Sequence, residues 1–157
     1  MASLASPAVP VSWGELLDKM TILEIKRDRI AAADARTNVA REYRLLKEIG
    51  TQALRRTGVA GLFGSLKAVN EELWEIEDAI RAEEAEARFG DAFIRLARSV
   101  YMKNDQRAAL KREINLLLDS DLLEEKSYWS AATVPAAARP ARSASPAAHL
   151  PSPVPPS

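Results

Sequence analysis

The chain has 157 residues, with 22 basic residues against 22 acidic, one histidine and no cysteine. A balance this even calls for neither nucleic acid nor an anionic membrane, and without thiols there is no disulfide framework. With His149 as the lone imidazole, a Cys/His zinc site, a Ser-His-Asp triad and a ferritin-like Glu-x-x-His centre are excluded within one chain.

Residues 1–11 carry Pro7 and Pro10 and no charge, and are expected to form a disordered arm. Between Pro10 and Pro135 there is no proline, and the run is rich in Ala, Leu, Glu, Lys and Arg. That composition predicts an all-α domain over residues 12–129, a single antiparallel helical bundle of four to five helices. The remaining stretch, 130–157, holds seven of the nine prolines and no acidic residue. Its Pro/Ala/Ser composition cannot bury enough apolar surface to offset its ordering entropy, so a disordered tail is expected. No segment approaches a membrane span, and the first residues lack a basic, then apolar, secretory start. A soluble cytoplasmic protein is the expectation.

Ser12 followed by Glu15 fits a capping box, with Val11 as the preceding staple residue. Trp13, Leu16, Leu17, Met20, Leu23 and Ile30 then share one side of a first helix reaching about Ala33. Ile22 and Ile25 lie on the opposite side. A helix apolar on two faces has two neighbours, so this one is expected inside the bundle or at an oligomer contact, and in the second case these isoleucines mark the interaction surface. Glu24 and Arg27, at i,i+3 spacing, suit an ion pair whose stems cover the edge of the core. Thr37 or Asn38 can cap a second helix, with Val39, Tyr43, Leu46, Ile49 and Ala53 inward.

Gly58, Gly61 and Gly64 mark a break. The third helix has the cleanest stripe: Leu62, Leu66, Val69, Leu73, Ile76 and Ile80, widened by Phe63 and Trp74. Asn70 and Glu77 lie within that widened edge. Carboxylates are dense along this helix and suit a solvated face with i,i+4 partners such as Glu77–Arg81 and Glu84–Arg88, not a metal site. Gly90 suits a C-cap and Asp91 the next N-cap. Phe93, Leu96, Ala97 and Val100 begin a fourth stripe, continued by Ile114 and Leu118. Asn104, Arg107, Lys111 and Asn115 interrupt it at steps of three and four. Either the helix breaks near Asn104, making these residues caps and flank, or it continues and turns two cations inward. Trp13, Trp74 and Tyr101 are expected to be packing residues. A short segment, Leu122 to Trp129, ends the domain.

The segments SWGELLDKMTILEIKRDRI, LKAVNEELWEIEDAIR, FIRLARSVYMKNDQRAALKREINLLL and EEKSY, in that order, resemble an uncharacterised bacterial family of small all-helical proteins, the domain of unknown function 6165. The resemblance covers nearly all of Ser12 to Tyr128. It implies a link to surface-polysaccharide or glycosyltransferase systems. It departs from the family at Met102, where a small hydroxyl or aliphatic residue is expected, and in the tail. It also draws attention to Asn104, Asp105, Arg107, Lys111, Asn115, Glu124, Glu125 and Lys126 as a polar group.

With no GxGxxG and no P-loop, no nucleotide cofactor is expected, nor any metal or other cofactor. Two functional expectations follow. The first is a non-catalytic helical accessory protein that self-associates or docks on a protein partner. The second is a binder of a small anion (carboxylate, phosphate or sugar nucleotide), or a small helical enzyme acting on one. It would use a pocket of Asn70, Glu77, Asn104, Arg107, Lys111 and Asn115. For Asn70 and Glu77 a polar network with Arg107 and Lys111 is the competing reading.

Overall fold

A computed structural model describes residues 2–125. It contains four helices and no strand among those residues: α1 (Trp13–Arg29), α2 (Ala33–Leu54), α3 (Val59–Ala85) and α4 (Asp91–Leu117). The chain is an all-α bundle. Residues 2–11 have no regular secondary structure, and the expectation for 130–157 lies outside the described residues.

The contacts between helices fix their directions. Gly14 at the start of α1 meets Asn115 near the end of α4, and Arg29 at its far end meets Glu75 of α3. Hence α1 runs antiparallel to α4 and parallel to α3. Lys19 of α1 pairs with Glu42 of α2, while Gly50, later in α2, faces Met20 and Leu17. The core gathers Leu16, Leu17 and Met20 of α1, Ala53 of α2, Val59 and Leu66 of α3, and Ile114 of α4. Burying each of these side chains other than the alanine contributes about 1.5–3 kcal/mol.

Several boundaries differ from the sequence pattern. The first helix stops at Arg29, and α2 starts at Ala33 without a side-chain cap, before Thr37 and Asn38. Gly58, at φ +85°, provides the left-handed turn into α3. That helix ends through Ala87 at positive φ: the amides of Ala87 and Arg88 donate to the carbonyls of Glu84 and Glu83. Gly90 is the N-cap of α4 and not the C-cap of α3.

The fourth helix is continuous through Asn104 and Asp105. The polar residues there serve neighbouring helices instead of capping a new one: Lys103 pairs with Glu72 and Arg107 with Asp18. Ile49 is 49% exposed, contrary to the expected inner face, because Gly50 takes the inward position. Tyr101, expected to pack, is 45% exposed.

Two glycines set the spacing of the bundle. A Cβ on Gly14 would lie 2.5 Å from the Lys111 carbonyl oxygen, and one on Gly50 would lie 2.2 Å from the Met20 sulfur. The first obstacle is backbone and cannot move without shifting α4, whereas the second is a thioether. Helix propensity alone would favour alanine at either site by about 1 kcal/mol. We expect Gly14→Ala instead to destabilise by about 2–3 kcal/mol, and Gly50→Ala by less, in urea-induced unfolding.

Candidate functional site

Asp18 is a carboxylate in the interior, 1% exposed, on the face of α1 shared by Gly14, Thr21 and Ile25. A lone charge at such depth would cost several kcal/mol, and three donors answer it. Its Oδ1 accepts from Asn70 Nδ2 and from Arg107 Nε, each at 2.8 Å, and its Oδ2 accepts from Arg107 Nη2. The guanidinium thus grips both oxygens, the geometry that fixes orientation as well as charge. Thr21 closes the set: its hydroxyl donates to the Asp18 carbonyl at 2.7 Å and accepts from Asn70 Nδ2 at 2.8 Å. The hydrogen bond to Asp18 holds the Arg107 pKa above its usual value, burial acting against it.

One turn further along α4, Lys111 is 6% exposed. Its ammonium donates to Glu15 Oε2 at 2.6 Å and to Glu124 Oε2. Burial pushes its pKa down, but hydrogen bonds to Glu124 and Glu15 outweigh that, and the net shift is upward. Glu125 meets Arg112 at 3.1 Å, so two ion pairs tie the segment after α4 back along that helix.

The start of α1 completes this end of the bundle. Its first amides have no partner within the helix. Ser12 Oγ accepts from Glu15 N, the first half of the expected capping box. The second half is replaced, because the Glu15 carboxylate turns to Lys111. Gly14 N donates to Asn115 Oδ1 at 2.6 Å and Trp13 N to Ser120 Oγ at 3.3 Å. Among the described residues no buried side-chain nitrogen or oxygen lacks a partner.

The six residues read from the sequence therefore divide. Asn70, Glu77, Asn104 and Arg107 line one open cleft of about 500 Å³, with Trp74, Leu73, Ile22 and Ile25 as its apolar walls. Lys111 and Asn115 lie toward the other end of α1 and line no part of that cleft. Ile25 is 2% exposed and Ile22 half-buried, so of the two covers expected for the second face of α1, the bundle or an oligomer contact, the chain itself supplies one. Glu24 does not pair with Arg27: its carboxylate accepts from Tyr43 Oη at 2.7 Å and meets Lys67 Nζ at 2.9 Å. Arg27 lies over the Tyr43 ring instead. Glu77 and Arg81 stand 3.7 Å apart, but Arg88 takes Glu83 and Glu86 and leaves Glu84.

Asp18 and Thr21 escaped the sequence reading, and Glu15 entered it only as the capping-box partner of Ser12 and not as a partner of Lys111. The signal was present, since Gly14, Asp18, Thr21 and Ile25 recur at steps of four, three and four.

The sequence matches a family description over residues 8–144. The chain belongs to the family of unknown function DUF6165. No curated protein and no solved structure matches the chain. Among the described residues no helix is long and apolar enough to cross a membrane, and no three His, Cys, Asp or Glu side chains are grouped to hold a metal.

Removing Arg107 strands a buried carboxylate, so Arg107→Ala is expected to cost about 3 kcal/mol in chemical denaturation, and Asp18→Asn less. Alkaline pH probes the clusters together. Burial and the bond to Glu24 raise Tyr43 to about 12, and hydrogen bonding to Glu24 raises Lys67. With Lys111 also raised, the folded chain holds these protons after the unfolded chain has released them. Stability should be level below about pH 10 and fall as pH rises through the folded values. Thermal melts across that range should show a shallower fall for Tyr43→Phe.

Proposed function

We propose that the chain is a non-catalytic helical interaction module. The resemblance to its family suggests an accessory component of a bacterial surface-polysaccharide or glycosyltransferase system. One observation carries the reading. From Glu71 to Leu110, across the far part of α3 and the near part of α4, no side chain is buried. The run nevertheless contains Leu73, Trp74, Ile76, Ile80, Phe93, Leu96 and Val100, all half-buried.

The cause is a mismatch in length. α3 and α4 have 27 residues each and α1 has 17, so the pair extends about 40 Å against about 25 Å. Beyond Glu75, where Arg29 ends α1, the two long helices continue as a hairpin arm with an uncovered apolar seam. A two-helix hairpin has little stability alone, and such a surface suits a partner.

The cleft at the root of the arm supports a second reading, capture of a small carboxylate, phosphate or sugar nucleotide beside Trp74. It ranks lower because Arg107 and Lys111 already hold carboxylates of their own chain.

A photo-crosslinking residue placed at Ile94 or Met102, both exposed on the arm, tests the leading reading in the native cell, with Leu45 on α2 as the control. Adducts are expected at the arm positions. Adducts confined to Leu45, or none anywhere, would overturn it.

A further inference from the structure

The cleft between α1, α3 and α4 contains an acceptor that the fold leaves unanswered. Asn70, which lines it, is only 5% exposed. Both hydrogens of its amide nitrogen are used, one on Asp18 Oδ1 and one on Thr21 Oγ1, each at 2.8 Å. A carboxylate only accepts, so the nitrogen is fixed toward Asp18 and the carbonyl oxygen toward the other side. Among the described residues no group donates to that oxygen. None of their buried side-chain oxygens lacks a partner, so this one is not sealed in. It opens on the cleft, where a donor would complete it.

The rest of the lining has the same bias. Arg107 directs its guanidinium at Asp18, and Arg81 stands 3.7 Å from Glu77 on its own helix. Asp78 is exposed in the cleft and, among the described residues, enters no ion pair. With Asp18 included, three carboxylates (Asp18, Glu77 and Asp78) face two guanidinium groups (Arg81 and Arg107). The surplus is therefore one of acceptors and of negative charge. Leu73 and Trp74, one turn along α3 from Asn70, add half-buried apolar surface, and Ile22 adds more from α1. A carbon stem can lie on those side chains, and an indole face attracts a cation besides. An anion would meet the carboxylates and leave the Asn70 oxygen unanswered.

We infer that this cleft binds a guanidinium or primary ammonium group carried on a short alkyl stem, with Asn70 Oδ1 as its buried acceptor and Glu77 and Asp78 as its counter-charges. Both groups are donors only, and donors are what the lining lacks. The same chemistry occurs on a free amine and on a Lys or Arg side chain of a protein partner. The site does not require a partner on the arm, and its charge preference is the reverse of the anion capture considered above for the same cleft.

Titration of the isotope-labelled full chain with butylguanidinium chloride at constant ionic strength tests it, read by NMR at the Trp74 indole N–H and the Asn70 side-chain amide. Saturable shifts at both are expected, with a Kd below about 10 mM. Pentanoate, the same butyl chain bearing a carboxylate, is expected to give none. Glu77→Gln with Asp78→Asn, both at exposed positions, is expected to weaken binding at least about threefold. No saturable shift in wild type by about 50 mM overturns the inference. So do shifts at Trp74 without Asn70, equal shifts with pentanoate, or a variant that binds like wild type. A blocked Gly-Arg-Gly tripeptide separates the sources. Tighter binding than butylguanidinium assigns the group to a protein partner, and binding no tighter assigns it to a free amine. Cross-linking from the arm reports separately on the interaction module.

Discussion

Burying the Asp18 carboxylate is the constraint on which the arrangement of α1, α3 and α4 depends. An apolar core tolerates small slides and rotations, because one methyl contact substitutes for another. A carboxylate 1% exposed does not, since losing either its guanidinium or its amide leaves a charge in a medium that cannot solvate it. Arg107 reaches both oxygens from α4 and Asn70 reaches one from α3. Satisfying all three bonds therefore selects one axial position for each helix against α1. The net energy of such a pair is small or even unfavourable against an apolar replacement, so its effect lies in specifying the packing.

One turn nearer the start of α1, the packing is held by closeness. Gly14 lets the backbone of α1 approach the Lys111 carbonyl, and at that distance Asn115 can cap an amide that α1 cannot satisfy itself. Because Asn115 and Ser120 supply oxygens to the first turn, the Glu15 side chain is released from its reciprocal cap and joins Lys111. Lys111 then carries a second carboxylate, Glu124, which draws the chain after α4 back along the helix. The absence of a side chain at residue 14 and the path of the segment after Asp119 are thus connected by one set of hydrogen bonds.

Much of this was legible. The absence of proline between Pro10 and Pro135 and the spacing of apolar residues point to a bundle of four to five helices, with the continuity of the fourth left open. The conflict between Lys111 and its apolar stripe marks the place where polar side chains turn inward. Three things were not legible, each for a physical reason. Asp18 looks like an ordinary exposed carboxylate until Arg107, 89 positions away, is known to reach it. Gly50 reads as a weak point in α2, while its function is to admit Met20, a close contact between helices that no local pattern encodes. Ile22 and Ile25 show correctly that α1 has two covered faces, but periodicity cannot say whether the second cover is a partner or the chain itself. Here α3 and α4 supply it.

Stability within the molecule is therefore uneven, and the unevenness has a direction. At one end the core residues, the capped start of α1 and the two inward cations all converge. At the other, only α3 and α4 remain, with their seam half-covered and no side chain buried between Glu71 and Leu110. Segments used for recognition are drawn from such weakly covered regions. The Asp18–Arg107 pair stands near the boundary between the two regimes, beside the cleft and one turn below Lys103. It sets the angle at which the arm leaves the base, because Arg107 belongs to the same unbroken helix as Arg95 and Arg98. A polar contact that contributes little net energy to folding can in this way decide which face the arm presents. Exchanging it for leucines of similar volume is expected to preserve the fold while freeing the arm to rotate, so the fold and the direction of the arm depend on different properties of the same bond.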